Sequence, residues 1–184
     1  MTRLRFSSAQ QVIDSFPSLV GELTLPTNGD EPFSYIDRLL KSQQQFQTLI
    51  FCAFLLPRKE AVQWLCRTIR SVPKPLAHKE EQLLKLAEDW VKSPTENARK
   101  AALNAGTDDL KDNAAAWAAL AAGWSGGSLS SDAEHPLPPP THLTGLAVKL
   151  GFQVLLAHFP KMQNAEMIGK FARSAVLMLK QDKA

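Results

Sequence analysis

Val62, Leu65, Cys66 and Ile69 fall at i, i+3, i+4 and i+7, one face of a 3.6-residue period, and this spacing returns along most of the chain. Leu83, Leu86, Ala87 and Trp90 repeat it, as do Trp117, Leu120, Ala121 and Trp124. Further on come Leu143, Leu146, Ala147, Leu150 and Val154, then Ala165, Ile168, Ala172, Ala175 and Leu179. Nothing reads as a strand, and Thr24-Leu25 is too short for one. The pattern predicts an all-α chain of about eight to nine helices, packed as an irregular bundle or as a short superhelical array of helical hairpins. No fixed-period repeat chooses between the two.

Punctuation residues predict where the helices begin and end. Ser8-Ala-Gln-Gln11 is a capping-box pattern, opening a helix that ends near Phe16-Pro17. Pro26, Asn28, Gly29 and Pro32 carry turn chemistry and place Asp30 as the cap of a helix to about Ser42. From Gln44 to Leu56 the chain is apolar almost all round, which predicts a central helix surrounded by others. At Ser93-Pro-Thr-Glu96, Ser93 is the expected cap, Pro94 suits the first turn and Glu96 reaches back. The helix that follows carries Ala98, Ala101, Ala102 and Ala105, a face for close packing, and Gly106 is its expected stop. The next spans roughly Asp112 to Trp124, Pro160 breaks the one beyond, and Lys180 and Lys183 suit the end of the last.

At 184 residues the chain suits one domain, 1–184, with N-terminal helices and an irregular segment over 1–42 and a Gly/Ser/Pro-rich loop over 125–142. Such a domain buries roughly 70% of its unfolded surface. With 45% hydrophobic and 21% charged residues, order is expected. Cys52 and Cys66, each in apolar company, read as buried free thiols in a reducing compartment. Gln10, Gln11, Asp14, Ser15 and Pro17 interrupt any signal-peptide core. The longest apolar run, Leu49 to Leu56, falls far short of the roughly 20 residues that span a bilayer. A cytoplasmic protein with no membrane span is therefore expected. A net charge of +3 is too small for nucleic-acid binding. The charge is uneven, however: Arg58, Lys59, Arg67, Arg70, Lys74 and Lys79 face Glu60 alone in their stretch, whereas Asp108, Asp109, Asp112, Asp132 and Glu134 oppose only Lys111 later. A solvated helix face explains this, and the same polarity can orient a partner.

Gly123-Trp-Ser-Gly-Gly127 satisfies the G-x-S-x-G pattern of a hydrolase nucleophile elbow, with His135, His142 or His158 as conceivable bases. An elbow needs a strand entering and a helix leaving. Here an alanine-rich helix enters and a proline loop leaves, so Gly126 and Gly127 read as helix-ending glycines with left-handed backbone. His135 and His142, with Asp132 and Glu134, lack the rigid convergent spacing of metal ligands. No cofactor or metal is expected. His158 reads as a core histidine and His78 as a polar-face residue. Trp64, Trp90 and Trp117 are core candidates, whereas Trp124 stands where helix meets loop and is placed to anchor the loop or line a groove. Pro136-Leu-Pro-Pro-Pro140 favours polyproline II, either as a ligand for an aromatic groove or, the preferred reading, as a strap docked by Leu137 and Leu143. Residues 128–134 are left free to move.

Glu60-Ala-Val-Gln-Trp-Leu-Cys-Arg67, Ala87-Glu-Asp-Trp-Val-Lys-Ser-Pro94, Ala116 to Leu129 with its Trp-Ser-Gly-Gly-Ser core, and Pro138-Pro-Pro-Thr-His-Leu-Thr144 carry a family resemblance. Over roughly residues 58 to 150 the chain resembles an uncharacterised bacterial helical family often linked to type VI secretion gene clusters. The resemblance implies genetic company with that machinery and transfers no catalytic residue. The expected function is thus a non-enzymatic interaction module, an accessory, adaptor or chaperone protein whose partner is a secretion component or effector. Its expected surface is Trp124, Ser125, His135, Leu137, Pro139 and His142, with Arg67 and Arg70 behind. The alternatives are an immunity protein that binds a toxin and, from another class, a serine hydrolase using Ser125.

Overall fold

The computed structural model describes residues 5–108, 112–130, 132, 134–160 and 165–180. Among them lie nine α-helices: α1 (Ala9–Ser15), α2 (Pro32–Lys41), α3 (Gln45–Leu55), α4 (Arg58–Arg70), α5 (His78–Lys92), α6 (Glu96–Thr107), α7 (Ala114–Gly123), α8 (Leu143–His158) and α9 (Ala165–Lys180). A 3₁₀ turn covers Pro17–Leu19. The described residues contain no strand, only an isolated bridge between Val20 and Leu23. The fold is all-α. The chain divides into two compact units, Met1–Pro57 with Phe159–Ala184, and Arg58–His158.

In the first unit α3 packs against both α2 and α9. Thr48 through Leu55 are all buried, so the helix expected to be central is enclosed on every side. Phe51 meets Tyr35 edge-on at 4.6 Å, and Phe54 meets Phe16 at 5.1 Å. Burial pushes the Tyr35 phenol up to about 12, and its hydroxyl donates to the Thr24 carbonyl. Ser8 caps α1 by accepting from the Gln11 amide. At α2 the cap position is Glu31, which makes no side-chain capping bond, and Pro32 occupies the first turn. Asp30, the expected cap, instead accepts from the Thr27 amide at 2.9 Å and from Arg38 at 2.6 Å. Asp30 thus closes the preceding turn and pairs with a side chain of α2, and the cap position passes to Glu31.

The second unit is a five-helix bundle around α7, which touches α4, α5, α6 and α8. A solenoid of hairpins would join each helix only to its neighbours, so within this unit the bundle is what forms. Apart from half-buried Trp117, all of α7 is buried. The amphipathic stripe read through its large residues understated this: alanine offers no polar face to turn outward. Its small side chains admit close neighbours instead. A Cβ on Gly123 would lie 2.7 Å from the Leu103 Cα, and one on Gly106 2.9 Å from the Leu120 side chain. Gly106 is therefore not a helix stop. It sits inside α6, which continues to Thr107. The α6 cap is also two residues later than expected: Thr95, not Ser93, accepts from the Ala98 amide at 3.2 Å. Trp64 of α4 meets Phe152 of α8 at 4.3 Å with the two rings tilted. Cys52 and Cys66 are free and buried, and burial pushes each thiol up to about 12.

Candidate functional site

The loop from Trp124 to His142 leaves the C-terminal end of α7, where a helix exposes carbonyls that have no partner of its own. The Trp124 and Ser125 amides donate to the carbonyls of Leu120 and Ala122, while the Gly123 carbonyl and several in the loop beyond it meet side chains from other helices of the second unit. Arg99 of α6 donates to the Gly123 carbonyl at 2.5 Å and to that of Ser128 at 2.9 Å. Thr144 of α8 donates to Trp124 at 3.2 Å, and Arg58 of α4 to Ser125 at 3.0 Å. The Ser125 hydroxyl turns back to the Ala121 carbonyl at 2.6 Å. Three helices thus hold the root of the loop.

Arg99 is only 3% exposed, and a buried guanidinium needs its charge balanced and its N–H groups filled. Glu96, one turn earlier, takes Nε and Nη2, both at 2.7 Å, in a bidentate pair. That hydrogen bond from Arg99 holds the Glu96 carboxyl below the usual range. The pair also explains Gly127. Its φ is +64°, in the left-handed region, and a Cβ there would stand 2.5 Å from Arg99 Nε and 2.6 Å from Glu96 Oε2. Left-handed backbone was expected at Gly126 and Gly127 together, and only Gly127 has it.

Beyond the root the loop closes on itself. The Leu129 amide donates to the Leu137 carbonyl at 2.7 Å, and the Leu137 amide returns to Ser128 Oγ at 2.9 Å. The described residues of 128–134 carry further bonds, the Ser130 amide donating to Ser128 Oγ and the Asp132 amide to Ser130 Oγ, while 131 and 133 lie outside the described residues. His135 pairs with Asp132 at 2.8 Å on the surface. Downstream, the Leu143 amide bonds the Pro140 carbonyl and starts α8.

The six expected loop residues therefore belong to one ordered feature, with roles that differ from expectation. Trp124, Ser125 and His142 are half-buried, and His135 is exposed. Leu137, expected as the docking handle, is 59% exposed; Pro139 is the residue that docks. Arg67 and Arg70 do not reach the loop. Arg67 is exposed, and Arg70 is held by Glu81 at 2.5 Å and Glu88 at 2.8 Å on α5. The arginines that serve the loop are Arg58 and Arg99. A sequence signal for Arg99 existed, because Arg99, Ala102, Leu103 and Gly106 fall at i, i+3, i+4 and i+7, which sets the cation on the closely packed stripe.

Ser125 lies just past a helix, and no strand enters its turn, so the G-x-S-x-G match is not on a nucleophile elbow. His158 is exposed, not a core histidine, because it ends α8 where the apolar stripe has run out. Among the described residues no three His, Cys, Asp or Glu side chains group as metal ligands. No described helix is long and apolar enough to cross a membrane. A separate cleft of about 530 Å³, lined by Lys79, Gln82, Leu83, Leu86, Ala105 and Asp108, takes in none of the loop residues.

A family model for a family of unknown function, DUF6931, matches residues 35–179, which include every helix from α3 to α8 and the whole of the pinned loop. The chain belongs to the DUF6931 family. No curated protein and no solved structure matches it. In this DUF6931 chain the loop root is built from α4, α6, α7 and α8, all within the matched residues.

Proposed function

We propose that this DUF6931 chain is a non-enzymatic protein-interaction module, an accessory or adaptor protein that holds a component or effector of a type VI secretion system through the loop Trp124–His142. One observation carries the interaction reading: a loop rooted by Arg99, Arg58 and Thr144 nevertheless turns Leu137, one of its two leucines, outward. Ordering a loop costs conformational entropy, and a loop ordered beforehand binds without meeting that cost again. The secretion context is supported by the resemblance of the Trp-Ser-Gly-Gly-Ser segment and the trailing prolines to a family found near such gene clusters.

The test is affinity capture from cells of the native source, with wild-type chain and Trp124→Ala side by side. Co-purification of a secretion component with wild type alone supports the proposal. A toxin recovered and neutralised by the chain would replace the adaptor with an immunity protein, and capture of nothing by either chain would sink the interaction reading. The hydrolase alternative has its own test in a serine-reactive probe: labelling of Ser125 that Ser125→Ala abolishes would reinstate it. At present the Ser125 hydroxyl is committed to a helix carbonyl.

A further inference from the structure

We infer that residues 136–140 are a preformed polyproline-II ligand, and that the partner this loop takes is a protein with an aromatic-lined groove rimmed by basic side chains. The inference rests on the interaction-module reading and names the class of partner.

The backbone follows from the sequence. Proline fixes φ near −65°, and a residue that precedes proline is confined to extended or polyproline-II values. Leu137, Pro138 and Pro139 each precede a proline, and the last two are prolines themselves. A polyproline-II helix has three residues per turn, so positions i and i+3 share an edge. Leu137 shares one with Pro140, Pro139 shares another with Pro136, and Pro138 lies on the third, while Thr141 already belongs to the turn that opens α8. Pro139 alone of residues 136–140 is buried; Pro136, on its edge, is exposed, as are Leu137, Pro138 and Pro140.

A strap serving only its own fold would turn its largest apolar side chain inward. This one seats a single proline and leaves two adjacent apolar edges outward. Two outward edges are what an aromatic groove recognises, since its rings form shallow slots for prolines and aliphatic side chains while indole or phenol donors seek the ligand's carbonyls. Among the described residues the carbonyls of Pro138 and Pro139 accept no hydrogen bond. Both ends are already tied, at Leu129 to Leu137 and at Leu143 to Pro140. The upstream flank supplies the charge: Asp132 and Glu134 are exposed, which a basic groove rim complements.

The test titrates the ¹⁵N-labelled chain with a set of purified SH3-fold and WW domains chosen for aromatic-lined grooves that carry lysine or arginine at the rim. Prolines give no amide signal, so Leu129, Leu137, Thr141, His142 and Leu143 report. At least one domain is expected to bind with a Kd tighter than about 1 mM, with shifts centred on those amides. Leu137→Glu, checked for an unchanged thermal midpoint, should weaken that binding at least tenfold. Leu177→Glu, an exposed position on α9, should not. Absence of binding by every domain, shifts centred elsewhere, or binding indifferent to Leu137→Glu would overturn the inference. The capture experiment separates the two proposals: if Leu137→Glu still captures the native partner that Trp124→Ala loses, the adaptor reading stands and the polyproline reading falls.

Discussion

Helices α3 and α7 each lie at the centre of their own unit, and they are enclosed by opposite means. Around α3 the space is filled with volume: Phe51 and Phe54 reach out to Tyr35 and Phe16, and Leu49, Ile50 and Leu55 occupy what remains. Around α7 the space is removed, since alanines and Gly123 let α6 approach until its backbone stands where a Cβ would be. The first kind of core is sensitive to loss of atoms and the second to gain of them. Their ends differ in the imported donor: the Gly123 carbonyl of α7 takes the buried Arg99 at 2.5 Å, whereas the Phe54 carbonyl of α3 takes Arg5 at 3.4 Å, beside the bond from the Leu56 amide to the Cys52 carbonyl.

The largest effect is expected where volume does the packing. Phe51→Ala should cost about 4 kcal/mol in denaturant unfolding, the transfer loss of a buried ring plus its cavity. A loss below about 1 kcal/mol would mean that the α3 environment collapses freely and that the contrast is false. Next comes the imported donor. Arg99→Ala leaves the carbonyls of Gly123 and Ser128 and the Glu96 carboxylate without their partner, for an expected loss of about 3 kcal/mol. Proteolysis should then cut within 125–142 before the helices, and cleavage elsewhere first would show that Arg99 is not what roots the loop. In third place, Gly123→Ala adds one methyl against the Leu103 backbone and should destabilise by about 2 kcal/mol, although alanine is the better helix former. A stabilised Gly123→Ala variant would remove the argument for close approach.

The same contrast explains what was legible beforehand. The all-α class and α3 as a buried helix followed from the spacing of large apolar side chains, because bulk and polarity carry a period that can be read. The small-residue core carried no such period. Alanine is apolar without declaring a face, so α7 read as a stripe on Trp117, Leu120 and Trp124, and Gly106 read as a stop when it is a contact. The loop was legible as a unit, since glycine and proline punctuation is local, but its support was not. Arg99 stands 24 residues before the Gly123 carbonyl it holds, and Thr144 stands 20 after that of Trp124. Pairing at that distance is decided by how α6, α7 and α8 pack. Local charge density points to Arg67 and Arg70 and is blind to Glu81 and Glu88 on the next helix.

The smallest expected effect is a dependence on pH, confined to the root of the loop. The Glu96 carboxyl is held below its ordinary value of 4.5 by the hydrogen bond from Arg99, so the folded chain favours the ionised form. The sign follows by linkage: the stabilisation is fully present above about pH 4.5 and is lost as pH falls through the lowered folded value. Glu81, Asp30 and Asp132 are lowered too and add to acid sensitivity of the whole chain, so global unfolding is the wrong probe. Hydrogen exchange at the Leu129 amide isolates the loop, because that amide closes it onto the Leu137 carbonyl. Protection there should fall between pH 4.5 and the lowered Glu96 value while amides inside α3 keep theirs, and Glu96→Gln should flatten the step. A step that survives Glu96→Gln would assign it to the Asp132 carboxylate beside the strap, and the root would then owe its order to Thr144 and Arg58 more than to the Arg99–Glu96 pair.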